Sequence, residues 1–163
     1  MRDCGDCQAC CQGWLNGDAF GCAFGGGKPC VFLIGGCSVY GFRPEVCQSF
    51  YCGWSQGLLP EWMRPDLCKV LVSVERWSKG QYLRCIGMGK DISEESKREI
   101  EKFCDLNIAS AVFEANGRLD IKGTDDFTTE FLAKIGRGRC RSPSSTDQAP
   151  SLGERLSLPL YRE

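Results

Sequence analysis

The chain has 163 residues, thirteen cysteines, no histidine and a formal charge of −1. That length supports one compact domain with a short appendage, and near-neutral charge supplies no field to recruit nucleic acid or an anionic membrane. Without histidine, mixed cysteine–histidine zinc sites and histidine-dependent catalysis are excluded.

Nine of the thirteen cysteines fall in residues 1–52. Four open the chain as Cys4-x-x-Cys7-x-x-Cys10-Cys11, and Cys22, Cys30, Cys37, Cys47 and Cys52 follow. Thiols this crowded bind soft metal, pair as disulfides or run redox chemistry. Met1-Arg2-Asp3-Cys4 carries no apolar signal-peptide core. The longest apolar run nearby, Cys30-Val31-Phe32-Leu33-Ile34, is too short to span a bilayer. The expectation is a reducing cytoplasm and no membrane association. Disulfides are rare there, so metal ligation accounts best for the cysteines. An odd cysteine count also argues against complete internal pairing.

Residues 1–57 hold twelve of the twenty glycines. Regular structure should be sparse, with loops wrapped around a metal whose bonds to sulfur stand in for a side-chain core. Asp3 as a cap and Asp6 in the capping-box position suggest a short helix ending at Gly13. Cys4, Cys7 and Cys11 would then follow one face, with Cys10 beside them. A ferredoxin-like loop is the alternative. Three sulfurs spaced two residues apart suit three corners of a [4Fe–4S] cluster, with a fourth ligand from far away. A CxxC joined to a distant second pair suits tetrahedral zinc.

Further on, Pro44 suits the first turn of a helix that would put Cys47 and Cys52 on it or just past it. Arg43 would neutralise the excess charge of a four-thiolate site, or pair with Glu45 or Asp6. Tyr40, Phe50 and Trp54 read first as core packing, and second as a shield between a cluster and water. Gly25-Gly26-Gly27-Lys28 lacks the spacing of a phosphate loop.

The ordered pattern of these residues carries a resemblance. CxxCxxCC, then Cys30-x-x-Leu33, Gly36-Cys37-x-Val39-Tyr40, Arg43-Pro44-x-x-Cys47 and Phe50-x-Cys52-x-Trp54 resemble the YkgJ-type cysteine-cluster family. That family is described as chelating zinc or iron, and a related cluster occurs in flagellin lysine methylases. The likeness covers about residues 4–54. It implies a metal site drawn from Cys4, Cys7, Cys10, Cys11, Cys30, Cys37, Cys47 and Cys52. Two features depart from the family pattern. The stretch between Cys11 and Cys30 is short and contains the extra Cys22, and Gln48 stands where the family often has arginine.

Residues 58–135 read as an ordinary α+β unit packing on the cysteine-rich module. Residues 69–75 suggest a strand, Ser78-Lys79-Gly80 a turn, and residues 81–86 the hairpin partner. Ser93 is placed to cap a helix that carries Ile100, Phe103 and Cys104. Residues 109–114 and 118–122 suggest a second hairpin about Asn116-Gly117. A last helix over residues 125–135 would turn Phe127, Phe131 and Leu132 inward, with Asp125-Asp126 complementing its dipole. Cys68, Cys85 and Cys104 read as small buried hydrophobes. Residues 136–163 have no apolar periodicity, carry Cys140, and read as a disordered tail.

The fold expected is therefore α+β: a small cysteine-rich metal-binding module with an irregular N-terminal third, packed on a short antiparallel sheet with helices. The function expected is a structural or redox role for an iron–sulfur cluster or zinc. Two alternatives stand beside it. One is a methylase-like protein-modifying enzyme, against which no S-adenosylmethionine-type glycine loop is visible. The other is a zinc-stabilised scaffold with a protein partner.

Overall fold

The structure is a computed structural model that describes residues 1–108 and 110–139. Its centre is a four-stranded sheet in the order β3-β4-β5-β6: β3 Val70–Trp77, β4 Gly80–Gly87, β5 Ala111–Ala115 and β6 Arg118–Lys122. A two-stranded hairpin, β1 Gly17–Ala19 with β2 Cys22–Phe24, lies within the N-terminal third. Among the described residues there are also four α-helices: α1 Glu45–Gln48, α2 Pro65–Cys68, α3 Glu94–Asn107 and α4 Asp125–Arg139.

Local signals account for the hairpins. Asn116 and Gly117 both adopt positive φ, 49° and 74°, the geometry that matches a tight turn to the twist of paired strands. Phe20 and Gly21 do the same between β1 and β2, at 55° and 86°, and the Asp18 carboxylate accepts from the Gly21 N–H at 2.7 Å. At the start of α3 the Ser93 hydroxyl accepts from the Ser96 N–H at 3.2 Å, closing one of the helix's orphan donors.

The sheet is mixed rather than antiparallel throughout. β3–β4 and β5–β6 are antiparallel hairpins, but β4 and β5 run parallel, with Leu83 opposite Ala111 and Cys85 opposite Phe113. The cause is α3, which carries the chain from the end of β4 back to the start of β5 as a βαβ crossover.

Alternation along the strands separates two cores. Leu83, Cys85, Ala111 and Phe113 face one side, where they meet Ile100 and Cys104 of α3 and also Cys52, Trp54, Leu59 and Met63. Tyr82 and Val112 face the other side and pack on Phe127 and Phe131 of α4. Leu132 is 49% exposed instead of inward. Once Phe127 and Phe131 lie along the sheet, the next position points away from it. Cys85 and Cys104 are buried in the first core, and Cys68 is half-buried with its thiol donating to the Met63 carbonyl. α4 runs on to Arg139, past the boundary expected at residue 135. Residues 140–163, with Cys140, lie outside the described residues.

The cysteine-rich third and the α+β part share that first core. The Gly53 N–H donates to the Val72 carbonyl at 2.7 Å. A Cβ at Gly53 would sit 3.3 Å from the Val72 side chain, so the close approach favours glycine. The Trp54 indole donates to the Glu61 carbonyl. Arg2 fastens the first residues to the same segment. Its guanidinium donates to the Trp54 and Leu59 carbonyls, pairs with Glu61 at 2.8 Å and lies 5.3 Å from the Trp54 ring centre.

Candidate metal centre

The chain does not form a helix from Asp3 to Gly13. Asp3 accepts from the Gly5 N–H at 3.0 Å, and Gly5 has a φ of 54°, so the segment starts as a turn. Asp6, expected to complete the cap, instead pairs with Arg64 at 3.0 Å. Only Cys10–Trp14 coils, as a short π-helical turn interrupted at Gly13 (φ 91°). Cys4 and Cys7 are joined by a turn, with the Cys7 N–H donating to the Cys4 carbonyl at 3.0 Å.

The loop after β2 folds back on this turn. The Cys30 N–H donates to the Cys11 carbonyl at 2.8 Å, and a bridge between Leu33 and Cys37 brings Cys37 round beside Cys30. Pro44 caps α1, which carries Cys47, and Cys52 follows just past it. Gly13 makes the fold-back possible. A Cβ there would lie 2.4 Å from the Lys28 carbonyl oxygen. Gly13→Ala should cost roughly 1–3 kcal/mol, because backbone strain and a backbone collision add. Gly21→Ala, which meets nothing within 4 Å, bears the strain alone and should cost less. Equal losses in denaturant titrations of the two variants would remove the packing argument.

Seven of the eight candidate cysteines, Cys4, Cys7, Cys10, Cys11, Cys30, Cys37 and Cys47, line one cavity of about 360 Å³. That is the size range of small cofactor sites, roughly 300–1,000 Å³. Cys52 is buried outside the lining, with Cys4 and Cys10 as thiol neighbours. Cys22 is exposed on β2 and does not line the cavity. All twelve described cysteines are free thiols. Among the described residues, no three cysteine or carboxylate side chains are already disposed to hold a metal ion. In chemistry the donor set suits a thiophilic metal or cluster; its sulfurs converge on the cavity without meeting at bonding positions.

Burial and crowding both oppose thiolate formation. Cys10 is pushed well up, by burial first and then by the neighbouring thiols of Cys52, Cys7, Cys11 and Cys4. Cys11 is pushed up to about 11, by burial and then by Cys37, Cys30 and Cys47. Cys4, Cys7 and Cys47 are raised as well, with burial the leading cause in each. A cation entering the cavity would therefore displace protons from these sulfurs.

Two arginines stand against the cysteines. Arg43 lines the cavity, stacks 4.1 Å from the Tyr40 ring centre, and favours the charged forms of both Cys4 and Cys47. Its Nε is buried with no hydrogen-bond partner. Among the described residues it pairs with neither Glu45 nor Asp6. Tyr40 is 61% exposed as the outer face of that stack, not core. Phe50 is half-buried between cavity and core, and Trp54 is buried in the core.

The second arginine escaped the sequence reading. Arg64 grips Asp66 through two hydrogen bonds of 2.7 Å, and the Asp66 carboxylate lies beside the Cys7 thiol. Burial opposes the charge on Asp66, but Arg64 outweighs it and holds the carboxyl below its usual range. A signal was present: Arg64-Pro65-Asp66-Leu67-Cys68 repeats the Arg-Pro-acid-aliphatic-Cys pattern of Arg43-Pro44-Glu45-Val46-Cys47. Each proline lies at the start of a short helix, and each arginine lies near the cavity cysteines.

No family model, curated protein or solved structure matches this chain. The likeness of residues 4–54 to the YkgJ-type family therefore rests on the motif itself. No helix among the described residues is long and apolar enough to cross a membrane.

Proposed function

We propose that the cysteine-rich third is a metal–thiolate module of the YkgJ type, holding an iron–sulfur cluster or zinc in a reducing cytoplasm. The observation that supports this best is convergence. Seven cysteines from separate stretches of the chain reach one cavity, and a cation bound there would tie those stretches together. The ligands would come from Cys4, Cys7, Cys10, Cys11, Cys30, Cys37, Cys47 and Cys52. A [4Fe–4S] cluster is favoured over zinc because Cys4, Cys7 and Cys10 are spaced for three of its corners. A bound cluster supplies one-electron chemistry, whereas zinc supplies a cross-link that holds loops together. Arg43 and Arg64 offset thiolate charge, and Tyr40 keeps water from one side of Arg43.

A second reading has an observation of its own. Ile34, Tyr40 and Phe42 are 76%, 61% and 82% exposed; Tyr40 lines the cavity, and the other two are next in sequence to lining residues Gly35 and Arg43. Apolar groups displayed around a metal-pinned loop suit a zinc-stabilised scaffold with a protein partner.

Anaerobic purification followed by an absorption spectrum and metal analysis separates the readings. A brown protein absorbing broadly near about 400 nm, with iron and sulfide, supports the cluster. A colourless protein with stoichiometric zinc supports the scaffold. A chain that binds neither overturns the metal reading.

A further inference from the structure

Adjacent residues Cys10 and Cys11 open the π-helical turn, and successive side chains on a helical turn leave its axis in different directions. Their thiol neighbours differ accordingly. Cys11 has Cys37, Cys30 and Cys47 as its thiol neighbours. Cys47 has Cys30 and Cys37 beside it. The backbone supports that grouping, through the Cys30-to-Cys11 hydrogen bond and the Leu33–Cys37 bridge.

Cys10 has Cys52, Cys7 and Cys4 around it, and Cys4 has Cys52. The Cys4–Cys7 turn and the packing of Cys10 against the core that buries Cys52 support this second grouping. The two groups meet at the adjacent Cys10 and Cys11.

We infer that the module holds two metal centres, one on Cys4, Cys7, Cys10 and Cys52 and the other on Cys11, Cys30, Cys37 and Cys47. This inference rests on the metal reading above and adds the number of centres and the division of ligands. Each set supplies four sulfurs, the number that a zinc ion or a [4Fe–4S] cluster takes. In the first set, Cys52 is the distant fourth ligand that the Cys4, Cys7, Cys10 spacing requires. Charge agrees with the division. Four thiolates exceed the charge of either centre, so each set needs positive neighbours. Arg43 serves Cys4 of one set and Cys47 of the other, and Arg64 lies by Cys7. The sulfurs are not yet at bonding positions, so each set closes as its metal arrives.

Native mass spectrometry of the anaerobically purified full chain, with iron, sulfide and zinc counted, tests this. The fully loaded species should carry two centres: about eight iron and eight sulfide, or two zinc. A heaviest species with a single centre overturns the division and leaves the metal reading standing. A chain with no metal overturns both. The paired variants Cys4→Ser/Cys52→Ser and Cys30→Ser/Cys37→Ser should each halve the load and retain one centre. Loss of both centres in each soluble, folded variant would mean a single shared site. If a variant does not fold, the count for the unaltered chain still decides between one centre and two.

Discussion

Cys47→Ser should strip metal from the module and bring the melting temperature of the loaded protein down toward that of the metal-free chain. Structural zinc in small domains contributes about 10–16 kcal/mol of apparent binding free energy near neutral pH. That energy is folding energy where the loops have little else to hold them. Residues 1–57 contain just two three-residue strands, short 3₁₀ and π turns and one four-residue helix, so metal–sulfur bonds would be their main cross-links. Serine is a weak replacement for a thiolate toward soft metal. Cys7→Ser should behave alike. Cys104→Ala is the control: Cys104 is 2% exposed in the core and lines no part of the cavity. It should lose some stability and no metal. Metal analysis with calorimetry of all three variants checks this, and full metal with an unchanged melting curve in Cys47→Ser would remove that residue from the ligands.

The second large effect lies on the other side of the sheet. Phe127→Ala should cost about 3–5 kcal/mol, a major share of the roughly 5–15 kcal/mol that holds an ordinary domain together. Phe127 is fully buried, with ring centres at 5.3 Å from Trp77, 5.1 Å from Tyr82 and 5.8 Å from Phe131. Such ring contacts add about 0.5–1.5 kcal/mol each beyond burial. A hydrogen-for-side-chain exchange next door shows how tight the site is: a Cβ on Gly123 would fall 2.6 Å from the Phe127 ring. Of the candidate ligands, Cys10 and Cys52 pack on the opposite core and none packs on this one, so metal per folded chain should not change. Denaturant titration together with metal analysis separates the two quantities. A loss under about 1 kcal/mol, or a matching loss of metal, would contradict the two-core description.

Short-range and long-range interactions decide different parts of this fold. The β5–β6 turn was legible because positive φ at Asn116 and Gly117 is a property of those residues. The cap of α3 was legible because the Ser93 hydroxyl reaches a donor three residues on. The eight cysteines announced thiol chemistry by number and spacing. The Asp3 helix failed for a reason of the same short range. A carboxylate that bonds the N–H two residues on, before a glycine at positive φ, closes a turn instead of starting a helix.

Whatever joined distant segments waited for the tertiary structure. Which strands pair in parallel depends on the path of α3 over the sheet, and hydrophobic burial sets that path without regard to sequence distance. The burial of Cys52 behind Cys10 follows from Trp54, Leu59 and Met63 entering the sheet's core. The stack of Arg43 on Tyr40, and the reach of Arg64 and Asp66 to Cys7, bring together side chains up to 59 residues apart. By itself the sequence determined that thiols would dominate the first third and where its local turns lie, because those depend on residue type and near neighbours. Only the folded chain decided which sulfurs are neighbours and which cations face them, because those depend on the packing of segments that the sequence holds far apart.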